Sequence, residues 1–384
     1  MLPKTADVIV IGGGVMGAST AYHLAQHGCT DVVLLEKETF FGQGATGRCA
    51  GGIRYQFSTA INIRLSQLSL PMLDRFEEEL RQPIDLKWVG YLMLASTGEN
   101  EATFRENIAL QNSLGVNSKW LSAEEAAAMI PLINCEGIIG AAWNADDGLA
   151  DPNSVVQGYV TGARRLGVKT LNDVEVTGIR VENGRVQGVS TPAGSIATDH
   201  VVNATGPWAS LIGSMVDVDI PVEPLRRQIV ATTPIPELPP DFPFVIDFAQ
   251  SLYFHQEGKG ILTGMSNPHE TPGFSQAVDS DWELVHLEAA MHRMPVLEDA
   301  GILSRWAGLY EVTPDAHPIL GRVPDVDNFY CITGFSGHGF MHGPICGLLL
   351  AEEILDGRAH TLDVSSLSIK RFEAGHGLVE YNVV

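Results

Sequence analysis

The first strongly apolar run, Val8-Ile9-Val10-Ile11, runs into a glycine cluster at Gly12, Gly13, Gly14 and Gly17. Apolar residues then recur at helical spacing through Ala18, Ala21, Tyr22, Leu24 and Ala25, and a second apolar run from Asp31 to Leu35 stops at Glu36. Strand, glycine turn, amphipathic helix and strand together predict a βαβ unit. Downstream, Ile63, Leu65, Leu68, Leu70, Leu73 and Phe76 predict one helix over Asn62–Leu80. Strands are expected over Leu86–Leu94 and Ile138–Trp143, with a helix over Glu101–Leu114 between them. Ser122 and Glu125 form a capping box ahead of a helix ending near Met129. Asn153 or Ser154 is expected to cap a helix reaching Leu166. Val174–Val181 and Arg185–Ser190, joined by Asn183-Gly184, read as a hairpin. The prolines between Pro221 and Pro243 favour edge strands and a connecting loop. A helix over Asp281–Met294, strands over Leu303–Leu309 and Asn328–Thr333, and an apolar helix over Ile345–Leu355 with Pro344 in its first turn complete the pattern.

This succession predicts a mixed α/β protein: an N-terminal dinucleotide unit, an intervening module rich in antiparallel strands, and a return to the first domain. The boundaries expected are 1–85, 145–215 and 325–384 for the dinucleotide domain, and 86–144 and 216–324 for the substrate domain. A chain of 384 residues, 45% hydrophobic, can bury two such cores. No apolar run reaches the length of a bilayer span, and the first apolar stretch is a strand rather than a signal segment. The cysteines, at 29, 49, 135, 331 and 346, are odd in number and form no C-x-x-C. That argues against a disulfide framework, a zinc site or an iron–sulfur cluster, and a cytoplasmic location is expected. The net charge is −22, from 46 acids against 24 bases. Such a surface repels nucleic acid and anionic membranes, although a few local arginines can still hold an anionic small molecule.

Four stretches carry candidate chemistry. Gly12, Gly14 and Gly17 fit G-x-G-x-x-G: a tight turn, close backbone approach to a pyrophosphate, and close packing of helix on sheet. Glu36 lies 24 residues after Gly12, where a carboxylate accepts bonds from ribose hydroxyls; it favours an unphosphorylated ribose and does not separate NAD from FAD. Thr39–Phe57 sets Arg48 and Arg54 among many glycines, which suggests backbone wrapped around a ligand. Ala204-Thr205-Gly206 ends a strand where backbone can meet a cofactor, and the glycine-rich turn Gly334–Pro344 offers N–H groups and a positive dipole end. In a flavoenzyme such an end suits the N1–C2=O edge of the ring. His338 and His342 are four apart, but Gly339 intervenes and no third ligand is suggested, so no metal is expected. The acids at 146, 147 and 151 lack EF-hand spacing.

With these stretches in view the chain resembles the FAD-dependent D-amino-acid oxidase-like flavoproteins. The branch is that of sarcosine oxidase, the β subunits of heteromeric sarcosine oxidase and proline dehydrogenase, and dimethylglycine dehydrogenase. The matching segments are VIVIGGGVMG (8–17), GATGRCAGGIRYQF (44–57), DGLADP (147–152), VVNATGPWA (201–209), RWAGLYEVTPDAHPILGR (305–322) and ITGFSGHGF (332–340). The resemblance implies a glutathione-reductase-type FAD-binding Rossmann domain with an antiparallel or mixed-sheet substrate domain. It implies that Gly12, Gly14, Val15, Met16 and Gly17 hold the pyrophosphate, and that Glu36 and Lys37 bind the adenosine end. Gly44, Ala45, Thr46, Arg48, Cys49, Gly51 and Gly52 would line the flavin, and Val174 would meet the adenine through its backbone. Ala204, Thr205, Gly206 and Trp208 would lie along the cofactor, with Gly308, Gly334 and the run Gly337, His338, Gly339, Phe340 and Met341 at the isoalloxazine ring.

The departures from the family pattern also carry expectations. Gly308 stands where monomeric sarcosine oxidases attach FAD to cysteine, which implies noncovalent FAD. Met341 stands in place of a lysine, which bears on direct oxygen use. Tyr310 replaces the carboxylate-binding arginine of glycine-oxidase-like relatives, whereas Arg54 matches a carboxylate-binding arginine of monomeric sarcosine oxidase. The expected reaction is oxidation of a small secondary or N-methylated amino acid, sarcosine- or proline-like, to an imine by hydride transfer to flavin N5. Arg54, Tyr253 and His338 are the candidate catalytic residues, with His255 read as structural. One alternative is the β subunit of a multi-subunit amine dehydrogenase that needs a partner for electron transfer, and a homo-oligomer is also open. From other classes, a tRNA-modifying flavoprotein conflicts with the acidic charge, and a non-catalytic flavin-binding protein remains as a contrast.

Overall fold

The strands Val8–Ile11 and Val32–Leu35 are buried on both faces, as the continuous runs of Val, Ile and Leu require of a parallel sheet covered on both sides. In the computed structural model, which describes residues 2–373 and 379–383, they lie inside a six-stranded sheet. Its order is Ile319–Arg322, Phe329–Thr333, His200–Asn203, Val8–Ile11, Val32–Leu35 and Lys169–Leu171. Only the first pair is antiparallel.

Three helices cover one face: α1 (Val15–Gln26), α2 (Pro152–Arg165) and α3 (Gly339–Asp356). A Cβ on Gly343 would fall 2.6 Å from Val15 Cγ2, and one on Gly347 would fall 2.2 Å from Ser19 Oγ. Two glycines one helical turn apart thus let α3 lie directly on α1. The other face is covered by a three-stranded meander, Gly178–Glu182, Arg185–Thr191 and Gly194–Ala197, together with the short helix Ala209–Ser214.

A second sheet has eight strands in the order Ile302–Val312, Glu223–Thr232, Gly260–Met265, Leu252–Glu257, Phe244–Asp247, Tyr91–Ala95, Gly140–Asn144 and Lys119–Ser122. All neighbours are antiparallel except Phe244–Asp247 and Tyr91–Ala95. The helix Ser280–Arg293 packs on it, and the buried pair Arg293–Asp247 at 2.8 Å ties helix to strand.

Several expectations need correction. The helix drawn over 62–80 is broken at Arg75 into Ala60–Asp74 and Phe76–Leu80; Pro71, inside its last turn, lacks an N–H and crowds the preceding turn. The strand expected from Leu86 begins at Tyr91, since Trp88 is exposed and Gly90 takes a positive φ of 78°. Asp151, not Asn153 or Ser154, caps α2, accepting from both of their N–H groups at 3.1 and 3.2 Å, with Pro152 in the first turn. The hairpin arm drawn from Val174 starts at Gly178, because the Val174 N–H is taken by Glu36 O at 2.9 Å. The proline-rich stretch does not open on an edge strand: Glu223–Thr232 lies inside the large sheet, with Pro224 near its end, and only the later prolines make loop. Pro344 sits well inside α3, whose first turns are the glycine-rich segment itself. The 324/325 boundary puts Ile319–Arg322 on the substrate side, but the strand pairs with Phe329–Thr333 in the six-stranded sheet. Of the segment 325–384, residues 374–378 and 384 lie outside those described.

Candidate active site

At the C-terminal ends of the parallel strands the chain must turn without side chains in the way. Gly12 has φ 106°, and a Cβ there would lie 2.3 Å from the Ala204 carbonyl oxygen. Gly17 is fixed by the same crossing, its notional Cβ lying 1.9 Å from Gly12 O. The N-terminus of α1, with Gly14 in the capping position, has no side-chain cap, and only Thr46 Oγ1 accepts from Val15 N, at 3.2 Å. The N-terminus of α3, with His338 in the capping position, is likewise uncapped. Both open on one cavity of about 2000 Å³, its mouth included. Two free helix ends directed at one cavity make it favourable for negative charge at two places.

The cavity runs between the two sheets. Every candidate residue from the sequence lines it except Gly17, which packs helix on strand, and Gly334, whose φ of 79° makes the turn beside Thr313. At one end Glu36 accepts from Gly13 N at 2.7 Å and Glu38 N at 2.9 Å, and burial raises its carboxyl above the ordinary range. Lys37 lies 4.1 Å over the Trp208 ring. Arg48 donates to Gln43 O at 3.2 Å and Ala307 O at 2.9 Å, while Trp306 Nε1 donates back to Arg48 O at 3.0 Å. These bonds staple the glycine loop to the strand Ile302–Val312.

At the other end Arg54 is buried and stacked 4.1 Å from the Phe57 ring centre, and among the described residues it forms no ion pair. Its two terminal nitrogens donate to the main-chain carbonyls of Gln56 and Asn382. The segment carrying Asn382 is anchored by Glu380, which accepts from Ser58 N and Thr59 Oγ1 at 2.8 Å and Asn62 Nδ2 at 3.0 Å. Tyr253 faces the cavity beside Phe244, packed over Gly264, and burial holds its phenol well above the usual value. His255 points into the core, with Nδ1 2.9 Å from Gln256 O. His338 is buried with neither ring nitrogen hydrogen-bonded among the described residues, and burial with His342 and Arg54 nearby holds it neutral. His342 is used structurally, with Nε2 3.0 Å from Ser66 Oγ.

Sequence reasoning missed three residues of this wall. Tyr91 rests on Gly52, its hydroxyl 1.6 Å from where a Cβ would be. Glu311 accepts from Thr333 Oγ1 at 3.0 Å and Gly334 N at 3.1 Å, and burial pushes its carboxyl up to about 7. Arg227 lies on Glu223–Thr232 with its guanidinium carbon 5.0 Å from the Tyr310 ring centre. An Arg-Arg pair inside a strand was the available signal, because alternation sends the two to opposite faces.

The residues fit a flavin dinucleotide: two uncapped helix ends, glycines where a Cβ would close the cavity, and an imidazole with unsatisfied nitrogens in its wall. Fold and cavity together define a dinucleotide-dependent oxidoreductase of two-sheet design. The chain belongs to the DAO family of FAD-dependent oxidoreductases, whose model matches residues 7–353, and its cofactor is FAD. It is 34% identical over 372 residues to mitochondrial dimethylglycine dehydrogenase of Rattus norvegicus, covering 92% of this chain and 43% of that protein. It is 33% identical over 398 residues to mitochondrial sarcosine dehydrogenase of Homo sapiens, covering 99% of this chain and 42% of that one. The chain thus spans less than half the length of these two relatives. Among solved structures, L-proline dehydrogenase from P. horikoshii superposes with a TM-score of 0.91 at 36% identity, covering 98% of this chain and all of that chain. Among the described residues, no helix is long and apolar enough to cross a membrane.

Proposed function

We propose that this protein oxidises a small secondary or N-methylated amino acid to its imine, which water then hydrolyses. The observation that carries this reading is the single cavity that joins the glycine turn at Gly12–Val15 to a wall of Arg54, Tyr91, Tyr253 and Tyr310. Bound FAD supplies the two-electron acceptor. It is held noncovalently: Gly308 offers no nucleophile, and burial pushes the Cys49 thiol up to about 12, leaving it protonated. The segments of the six-stranded sheet serve the cofactor and the eight-stranded sheet walls the substrate, with Ile319–Arg322 on the cofactor side.

The chain's own contribution is position and field. Arg54, buried without a carboxylate partner, gives the substrate end a positive potential that draws in a carboxylate. The three phenols stay neutral because burial raises them all, so they orient the ligand without competing for the arginine. His338, held neutral, can accept a hydrogen bond from the bound amine at one ring nitrogen while the other donates.

Anaerobic mixing of the yellow protein with sarcosine, proline, dimethylglycine, glycine and D-alanine, followed near 450 nm where oxidised flavin absorbs (about that value), tests the reading. Bleaching by a secondary or N-methylated amine supports it; bleaching only by primary amines, or by none, counts against it. A second reading, a dehydrogenase subunit that passes electrons to a partner, is supported by the exposed Ile302 and Leu303 on the free edge of the eight-stranded sheet. Slow return of colour in air, together with co-purification of another chain, would favour it over a free-standing oxidase.

A further inference from the structure

Arg226 and Arg227 are neighbours on Glu223–Thr232, and the pleat sends them to opposite faces. Arg226 faces away from the cavity and is claimed by two carboxylates, Glu270 at 3.0 Å and Asp279 at 3.1 Å. Arg227 faces into the cavity, in line with Ile229. Its only hydrogen bond among the described residues runs from Nη1 to the Arg226 carbonyl at 3.0 Å. Its Nε is buried, and among the described residues it has no hydrogen-bond partner and no carboxylate pairs with the guanidinium. In a chain with 46 acids and 24 bases, an arginine turned into a cavity with no acid beside it is left for a ligand.

Among the described residues nothing neutralises it there. Tyr310, whose ring lies against the guanidinium, and Tyr253 remain protonated through burial. Cys49 is protonated for the same reason. Glu311, also in the cavity wall, has its Oε2 committed to Thr333 and Gly334. Arg54 differs from Arg227 in the way that matters: both of its terminal nitrogens already donate to main-chain carbonyls.

We propose that Arg227, backed by the Tyr310 ring, is the specificity-determining residue that receives the carboxylate of the bound substrate, while Arg54 contributes charge from within the wall. The proposal rests on the reading of the substrate as a small amino acid and names the group that recognises its acidic end. A guanidinium stacked on an aromatic ring keeps its donor edge free and its orientation fixed, which suits a planar carboxylate.

The test uses the oxidised, FAD-loaded protein and two isosteric probes, propionate and propionamide, titrated against the flavin absorbance. Wild type should bind propionate about tenfold or more tightly than the amide. Arg227→Gln should abolish that preference and leave the amide unaffected, whereas Arg227→Lys should retain part of it. An unchanged preference in Arg227→Gln, or none in wild type, overturns the assignment. An arginine-selective dicarbonyl with peptide mapping needs no variant: propionate, and not propionamide, should protect Arg227. Equal modification with and without propionate overturns the proposal even if Arg227→Gln fails to fold. Failure of the amine-oxidising reading looks different, since no amine would then bleach a flavin that still distinguishes propionate from its amide.

Discussion

At the scale of single residues, burial sets the chemistry of this cavity more than pairing does. Glu311 shows it best. Its carboxyl, ordinarily near 4.5, is pushed up to about 7 by burial against hydrogen bonds that pull the other way. The native state therefore keeps a proton that the unfolded chain releases between about pH 4.5 and 7. Stability from this group falls as pH rises through that window and is level above it. Glu311→Gln keeps an acceptor for Thr333 and Gly334 and has no proton to lose. Melting curves of cofactor-free protein at pH 5 and pH 8 should show a smaller alkaline loss in the variant than in wild type, and equal losses would contradict the assignment. Legibility at this scale was uneven. The glycines could be read because each role is a steric fact about missing atoms, and Arg54 stood out among them. Glu311 could not be read, and the Arg-Arg pair marked Arg227 only as one of two, because what distinguishes these residues is the partners they have or lack across strands far apart in sequence.

At the scale of elements, the contact of α1 with α3 is the joint on which both helix ends depend. Gly347 lies against Ser19, and a side chain there would meet the backbone carbon of Ser19 at 2.7 Å from its Cβ. Gly347→Val should destabilise the protein by about 3 kcal/mol and weaken FAD retention, because spreading the helices moves both N-termini. Thermal unfolding and the FAD content of the purified variant check this; a loss of stability with full FAD would separate packing from cofactor binding. Element types were legible where one periodicity acted alone, as in Val8–Ile11, the helix at 280–293 and the capping box at Ser122. They were misread where proline took an unusual place. Pro344 was set at a helix start and lies inside α3, and Pro71 marks the approach to a break that apolar spacing alone runs straight through.

At the scale of the whole molecule, buried neutral histidines set the acid limit. His23, His255 and His286 are lowered by burial to about 4, and His342 to about 3. Below about pH 6.5 the unfolded chain takes up protons that these native imidazoles refuse, and each contributes a slope of up to about 1.4 kcal/mol per pH unit. His200 and His338 are lowered in the same way, while five carboxyls, Asp147 and Glu311 at about 7 with Glu36, Glu257 and Glu353 also raised by burial, act in the opposite sense but are fewer than the six histidines. Midpoints of denaturant unfolding should therefore drop from pH 6.5 to pH 4.5, and a flat profile would refute this balance. The two-layer plan was legible from the order of apolar runs, but the pairing was not, since register across long gaps leaves no local mark. That pairing has a consequence in time. Val8–Ile11 has His200–Asn203 as its parallel neighbour, and His200–Asn203 in turn has Phe329–Thr333. A ribosome has released the glycine turn long before it makes the strand that closes the sheet beneath it. The floor of the cavity must wait until Phe329–Thr333 has been made, its first strands held half-covered meanwhile, so cofactor loading follows the synthesis of that late strand and not of the glycine turn.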